Sequence, residues 1–311
     1  MKPINPVIIL LGATAVGKTE LSIELADAIG AEIISIDSRL LYKGMDIGTA
    51  KPSPERRQAV NHHLIDVADP NERWSLSRYL KALKNIINEL HAAGSMPLLV
   101  GGTGQYIAAI IEGWQPPPKA EDPGYRDRLR EIADREGHDA LHMMLERVDP
   151  ITAERIDARN IRRVVRALEI YHVTGQPPSK QRKKSPPDYS FLLLGLRRDR
   201  EELYERIDER IQKMIENGWV DEVKDLLDRG VDPESPALSA IGYRQIARSL
   251  RGELTLDAAI EQTRRLTRQF VRRQDNWFRR FEPEIHWFEA KEKPAAEIVA
   301  LATSWLSGEL I

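Results

Sequence analysis

Across the first hundred residues, short continuous apolar runs bounded by Gly or Asp alternate with segments whose apolar positions recur every three to four residues. The first kind reads as strands buried on both faces and the second as amphipathic helices, so their alternation predicts a parallel sheet flanked by helices. Strands are expected at 7–11, 32–36, 97–100 and 191–196, with helices at 20–28 and 76–91. Parallel sheets bind ligands beyond the carboxyl ends of their strands. The loops beginning at Gly12, Asp37 and Gly101 should therefore converge on one crevice.

Between Trp114 and Ser190 the strand pattern stops. Pro116, Pro117 and Pro118 at one end and Pro186 and Pro187 at the other bracket a stretch that reads as wholly helical, with helices at 125–136, 139–148 and 160–173, the last stopped by Gly175. The expected organisation is an α/β core of residues 1–115 and 190–311 carrying an inserted all-helical domain of residues 116–189. Further helices are expected at 201–217, 220–229 and 256–281.

The 311 residues carry 46 Lys/Arg against 48 Asp/Glu, a net charge of -2 that argues against a wholly basic nucleic-acid binder. The charge is uneven, however. Residues 155–184 hold nine Lys/Arg and two acids, and residues 264–280 hold seven Arg and one acid. Such segments either face a polyanion or form a solvated face. The absence of cysteine excludes disulfides, thiolate metal sites and a cysteine nucleophile. The apolar run at 7–11 is far short of the roughly 20 residues a membrane span requires. A cytoplasmic chain with no membrane attachment is expected.

Residues 12–19, Gly-Ala-Thr-Ala-Val-Gly-Lys-Thr, satisfy the phosphate-loop pattern G-x-x-x-x-G-K-[ST] between an expected strand and an expected helix, which makes the core P-loop NTPase-like. Gly12, Ala13, Thr14, Ala15, Val16 and Gly17 supply a tight backbone around phosphate oxygens, Lys18 neutralises charge, and the Thr19 hydroxyl suits Mg2+. The motif specifies a di- or triphosphate without saying which. The strand at 97–100 runs into Gly101-Gly102-Thr103-Gly104 where phosphotransfer sites commonly carry an acid, although Asp37 or Asp66 could substitute.

Asp37 directly follows an expected strand and reads as a Mg2+ ligand, a general base, or a cap of the next turn. Thr103 reads as a contact to a phosphate oxygen or an acceptor, or as part of a structural turn. Arg206 and Arg210, one helical turn apart, point either at the phosphates or into ion pairs with Glu202 or Asp208. Adjacent His62 and His63 read as packing rather than a metal pair. In the arginine-rich helix, Ile260, Thr263, Thr267, Phe270, Gln274, Trp277 and Phe281 form a packing stripe. Arg265, Arg268, Arg272 and Arg279 lie on another face, where they meet either RNA phosphates or acids.

With these residues laid out, the chain resembles the tRNA dimethylallyltransferase family, also called tRNA isopentenyltransferases, over nearly its whole length. The matching blocks include 12–22 (GATAVGKTELS), 37–52 (DSRLLYKGMDIGTAKP), 101–106 (GGTGQY), 163–169 (RVVRALE), 242–245 (GYRQ) and 267–279 (TRQFVRRQDNWFR). Ala13 stands where the family usually has Pro, and Gln105 where Leu is frequent. The resemblance implies prenyl transfer from dimethylallyl diphosphate to the exocyclic amine of the adenosine immediately 3' of the anticodon. Lys18, Thr19, Arg210 and Mg2+ would then serve a diphosphate leaving group, and Asp37 would take the amine proton. It further implies tRNA contacts at Asp37, Ser38, Arg39 and Leu40, at Thr103 and Arg126, at Arg162, Arg163, Val164, Val165 and Arg166, and at Ser239, Ala240, Ile241, Gly242, Tyr243 and Arg244. The insertion would clamp the anticodon stem-loop of tRNA, with the protein acting as a monomer. The alternatives are a P-loop kinase for a small molecule or nucleotide, and a nonenzymatic RNA-binding NTPase scaffold.

Overall fold

The computed structural model describes residues 2–116, 122–181, 183–185 and 187–309. Pro117, Pro118, Pro186 and Arg182, which figure in the sequence boundaries and the basic segment, lie outside the described residues. The chain divides into two compact units, one comprising Met1–Trp74, Lys81–Ile111 and Asp188–Ile311, the other Ser75–Leu80 and Glu112–Pro187.

The first part of the larger unit runs through β1 (Pro6–Gly12), α1 (Lys18–Ile29), β2 (Ala31–Ile36), α2 (Pro54–Ala59), β3 (His62–His63), α3 (Leu76–Ala92), β4 (Met96–Gly101) and α4 (Gly104–Ile111). The smaller unit holds β5 (Trp114–Gln115), α5 (Pro123–Glu136), α6 (His138–Val148), α7 (Pro150–Glu154), α8 (Ile161–Thr174), α9 (Pro178–Gln181) and β6 (Lys183–Lys184), together with the first turn of α3. The chain then returns through β7 (Ser190–Arg197), α10 (Arg200–Glu216), α11 (Trp219–Asp228), α12 (Tyr243–Leu250), α13 (Leu256–Phe278), β8 (Ile285–Glu289) and α14 (Ala295–Ser307).

The sheet has the order β3-β2-β4-β1-β7-β8 and every pairing is parallel. Val7 to Leu11 and Leu98 and Leu99 are fully buried, as strands covered on both faces require. β1 leads to β2 on one side while β4 returns between them and β7 lies on the other side, so the connections reverse direction around β1. The carboxyl ends of strands at such a reversal form the crevice of an open α/β sheet.

Local signals set the helix ends. Gly30 closes α1 at φ 64°, and Gly175 closes α8 at φ 64°. The Asp199 carboxylate accepts the N–H groups of Glu201 and Glu202 at the start of α10. The expected helix to residue 281 stops at Phe278, and a 3-10 turn over Arg279–Glu284 contains Pro283, whose missing N–H and fixed φ oppose continuation. The insertion also departs from the wholly helical expectation, because Trp114–Gln115 pairs antiparallel with Lys183–Lys184 where the two ends of the insertion meet. Its own core is formed by Leu129, Leu141, Leu145, Val164 and Leu168.

Candidate active site

Residues 12–19 leave β1, turn through Ala15 at φ 63° and Gly17 at φ 117°, and enter α1 at Lys18. A helix N-terminus after such a turn offers N–H groups and positive partial charge to an anion. Lys18 Nζ reaches back into the loop and donates to the carbonyl oxygens of Gly12 at 2.9 Å and Ala13 at 2.8 Å. Burial and then the neighbouring Arg210 guanidinium lower its pKa to about 8, against the opposing pull of Asp37. Thr19 is part-buried in the first turn of α1.

α10 adds further cations to this loop. Arg206 Nε donates to Ala15 O at 3.0 Å, and part-buried Arg210 is held below its usual pKa range by burial while interacting with Asp37 and Glu20. The acids weighed as partners for these two arginines are engaged elsewhere, Glu202 with Arg198 and Asp208 with Arg268. Arg198, which sequence reasoning missed, also donates to Val16 O at 3.0 Å.

The loops after β2 and β4 are hydrogen-bonded to each other. Ser38 N–H donates to Thr103 Oγ1 at 3.4 Å and Thr103 N–H to Ile36 O at 3.4 Å. Arg39 N–H donates to Asp37 Oδ1 at 2.7 Å, so the capping role weighed for Asp37 is present. That bond uses Oδ1, and the carboxylate also interacts with the charges of Lys18 and Arg210. Tyr106 on α4 stays a neutral phenol beside this carboxylate, its pKa pushed up to about 12 by burial and then by Tyr42, with Asp37 adding to the shift.

Gln274, read from periodicity as packing, fastens the phosphate loop to the loop after β4. Its side chain is 3% exposed as a residue, accepts Thr14 N–H through Oε1 at 3.1 Å and donates from Nε2 to Gly102 O at 2.7 Å. The Thr14 N–H, expected among the phosphate donors, is held by Gln274 in this structure. One turn later Trp277 backs the same loop. A Cβ at Gly102 would lie 2.3 Å from Gln274 Nε2, and one at Gly104 would lie 2.3 Å from Trp277 Cβ, so α13 leaves room only for glycine there.

The loop spanning 37–52 is shaped by α11. The Glu222 carboxylate accepts the N–H groups of Asp46 and Ile47 at 2.7 Å each and of Gly48 at 3.2 Å, and it accepts the Tyr243 hydroxyl at 2.5 Å. Trp219 fills the space beside Gly48 and Gly242, where an added Cβ would fall 1.9 Å and 2.0 Å from its ring atoms. Tyr243, whose hydroxyl pKa is raised by burial and by Glu222, is fully buried, and Ala240 and Gly242 are buried, so the side chains of Tyr243 and Ala240 belong to the core. In this segment Ser239 and Arg244 are exposed, Ile241 is half-buried, and Arg244 pairs with Glu234 at 3.0 Å. Arg39 donates to Pro236 O, joining this turn to the Asp37 loop, and Leu40 is half-buried.

Asp66 holds Lys51 at 2.5 Å and Arg57 at 2.7 Å, which replaces its reading as a substitute metal ligand with a structural one. His63 Nε2 lies 2.9 Å from Glu32 and His62 Nδ1 lies 2.7 Å from Val60 O, as the packing reading expects.

Within the helical unit, Arg162 and Arg163 are exposed on the first turn of α8. Val164 and Val165, 0% and 5% exposed, belong to its core, so their side chains are corrected as RNA contacts. Buried Glu169 holds Arg126 through two hydrogen bonds of 2.6 and 2.9 Å and lies 3.7 Å from Arg166. A carboxylate shared in this way orients both guanidiniums while leaving one net positive charge.

The chain is 45% identical over 288 residues to a tRNA dimethylallyltransferase of Thermomicrobium roseum, covering 93% of this chain and 87% of that one. It is 49% identical over 273 residues to one of Chloroflexus aurantiacus, covering 88% and 92%. The crystal structure of a full-length tRNA isopentenylpyrophosphate transferase from Bacillus halodurans superposes with a TM-score of 0.72 at 38% identity, covering 98% of this chain and 97% of that one. A eukaryotic dimethylallyltransferase captured acting on tRNA gives 0.84 at 28% identity, covering 97% and 80%. With the model of the IPP transferase family matching residues 40–281, the chain belongs to the IPP transferase family.

Proposed function

We propose that this chain transfers a dimethylallyl group from dimethylallyl diphosphate to the exocyclic N6 amine of the adenosine immediately 3' of the anticodon in tRNA. The observation that carries the reading is the meeting of a cationic phosphate loop with the loops of Asp37 and Thr103 at neighbouring strand ends. Lys18, Arg206, Arg210 and the N–H groups at the start of α1 stabilise negative charge on the diphosphate as the allylic carbon–oxygen bond breaks. The amine lone pair forms the new carbon–nitrogen bond, and Asp37 accepts the proton that the amine releases. Thr103 positions the acceptor.

Among the described residues no cluster of three or more acidic or histidine side chains is set to hold a metal. The donor set instead fits Mg2+ held by Thr19 Oγ1 together with diphosphate oxygens and water, in keeping with that ion's preference for oxygen ligands. Bound there, Mg2+ would supply charge neutralisation to the leaving group.

The adenine must leave the stacked anticodon loop, at a cost of about a few kcal/mol. Ser38, Arg39 and Leu40 with Ser239, Ile241 and Arg244 provide contacts near Asp37, while Arg126, Arg162, Arg163 and Arg166 of the helical unit hold backbone phosphates. The chain would act in the cytoplasm, where its tRNA is found, and as a monomer. Among the described residues no helix is long and apolar enough to cross a membrane.

Incubation with bulk tRNA, Mg2+ and dimethylallyl diphosphate, followed by mass analysis of nucleosides, should yield N6-dimethylallyladenosine. A phosphorylated acceptor formed from ATP would instead establish the kinase alternative, which the names of the relatives disfavour.

Replacing Arg162, Arg163 and Arg166 together by Gln should weaken tRNA binding and make its log–log salt dependence shallower by about 2, since each lost phosphate contact releases fewer counterions. Diphosphate affinity without tRNA should not change. An unchanged salt slope in filter binding would show that these arginines meet only solvent and Glu169.

A further inference from the structure

α10 presents Arg206 to the phosphate loop, but Tyr204 and Asp208 of the same helix turn toward α13. Between the two helices lies a groove of about 280 Å³ lined by Arg264, Arg265, Arg268, Arg272, Gln269, Asp208 and Glu261. Four guanidiniums thus face two carboxylates. Arg264 pairs with Glu261 and Arg268 with Asp208, whereas Arg265 and Arg272 are exposed and have no carboxylate partner among the described residues.

Two arginines of the groove are held by neighbouring side chains before any ligand enters. Arg268 stacks over the Tyr204 ring at 5.2 Å while held by Asp208, and Arg272 Nε donates to the Tyr204 hydroxyl at 3.2 Å. Guanidiniums fixed in this way lose little further freedom when they bind an anion, and their planar donors match phosphate oxygens. The two carboxylates are already neutralised by the arginines beside them, so the remaining charge of the lining is positive.

We propose that the α10–α13 groove is a second phosphate-binding site, separate from the phosphate loop, taking a phosphoryl group through Arg265, Arg272 and Gln269. The inference rests on the proposed function only for the choice of phosphate source, which is either a phosphodiester of the tRNA or free diphosphate from the donor or product.

The test uses the Arg265→Gln/Arg272→Gln variant, two exposed changes that should leave the melting temperature unaltered. Filter binding of tRNA across a salt series reads the first source, and a slope shallower by about 1 to 2 identifies RNA phosphates. Titration of inorganic diphosphate into a Lys18→Ala background reads the second. Residual binding there that disappears when Arg265→Gln/Arg272→Gln is added identifies free diphosphate. Either result supports the site. An unchanged tRNA slope together with unchanged residual diphosphate binding overturns it and leaves a solvated, ion-paired face. The diphosphate titration requires no prenyl transfer, so it reads the groove even if the proposed reaction fails.

Discussion

Lys18→Ala should slow dimethylallyl transfer by about 100- to 1,000-fold or more while leaving tRNA affinity unchanged, the scale expected when a preorganised charge stabiliser is removed. The ammonium now donates to two carbonyls of its own loop, a contact that a diphosphate oxygen would replace. Single-turnover rates and filter binding check the two halves of the expectation separately. Equal loss of both would mean that Lys18 supports the RNA-binding fold rather than the leaving group. The same residue sets a pH dependence. With its pKa lowered to about 8, Lys18 is protonated below that value and loses its charge above it. A bound diphosphate favours the charged form, so binding above about pH 8 takes up a proton and affinity falls as pH rises, by up to about tenfold per unit. The diphosphate itself titrates too, so the comparison is with Lys18→Ala, in which the Lys18-dependent component should be missing.

What could be read from the chain was local, and what could not was supplied from a distance. The phosphate loop lies within eight consecutive residues between a strand and a helix, so its spacing alone identified it. Strand ends placed Asp37 and Thr103 together because a parallel sheet brings its carboxyl ends to one side. Gln274 gave no such signal. It sits at core spacing on an amphipathic helix, and its partners Thr14 and Gly102 are 260 and 172 residues away. Glu222 and Trp219 share the same difficulty, since an acid and an aromatic three positions apart describe many helices. Only the folded chain brings Glu222 to the N–H groups of Asp46, Ile47 and Gly48. β3 is two residues long, and β8 follows Pro283 at the sheet edge beside β7, so neither offers a sustained alternation to read. The resemblance transferred whole runs of residues, and burial then divided them: Arg162 and Arg163 face outward while Val164 and Val165 close a core.

Asp37→Asn should depress turnover by about 100- to 10,000-fold with tRNA and donor binding preserved, the range expected when a general base is lost. The substitution is well matched to the local structure. Oδ1 of Asp37 accepts Arg39 N–H at 2.7 Å, and an amide oxygen of the same size can keep that bond and the turn it supports. What is lost is the negative charge and the ability to take a proton, so a rate deficit would not be a folding deficit. If Asp37 instead helps to hold Mg2+, raising the metal concentration should restore part of the rate, and donor affinity should fall. A metal titration of the variant therefore separates the two roles, because a missing base cannot be replaced by more metal. A deficit below about tenfold at saturating Mg2+ would count against both roles. Asp37 would then be a capping residue alone, and the amine proton would pass to solvent or to the departing diphosphate.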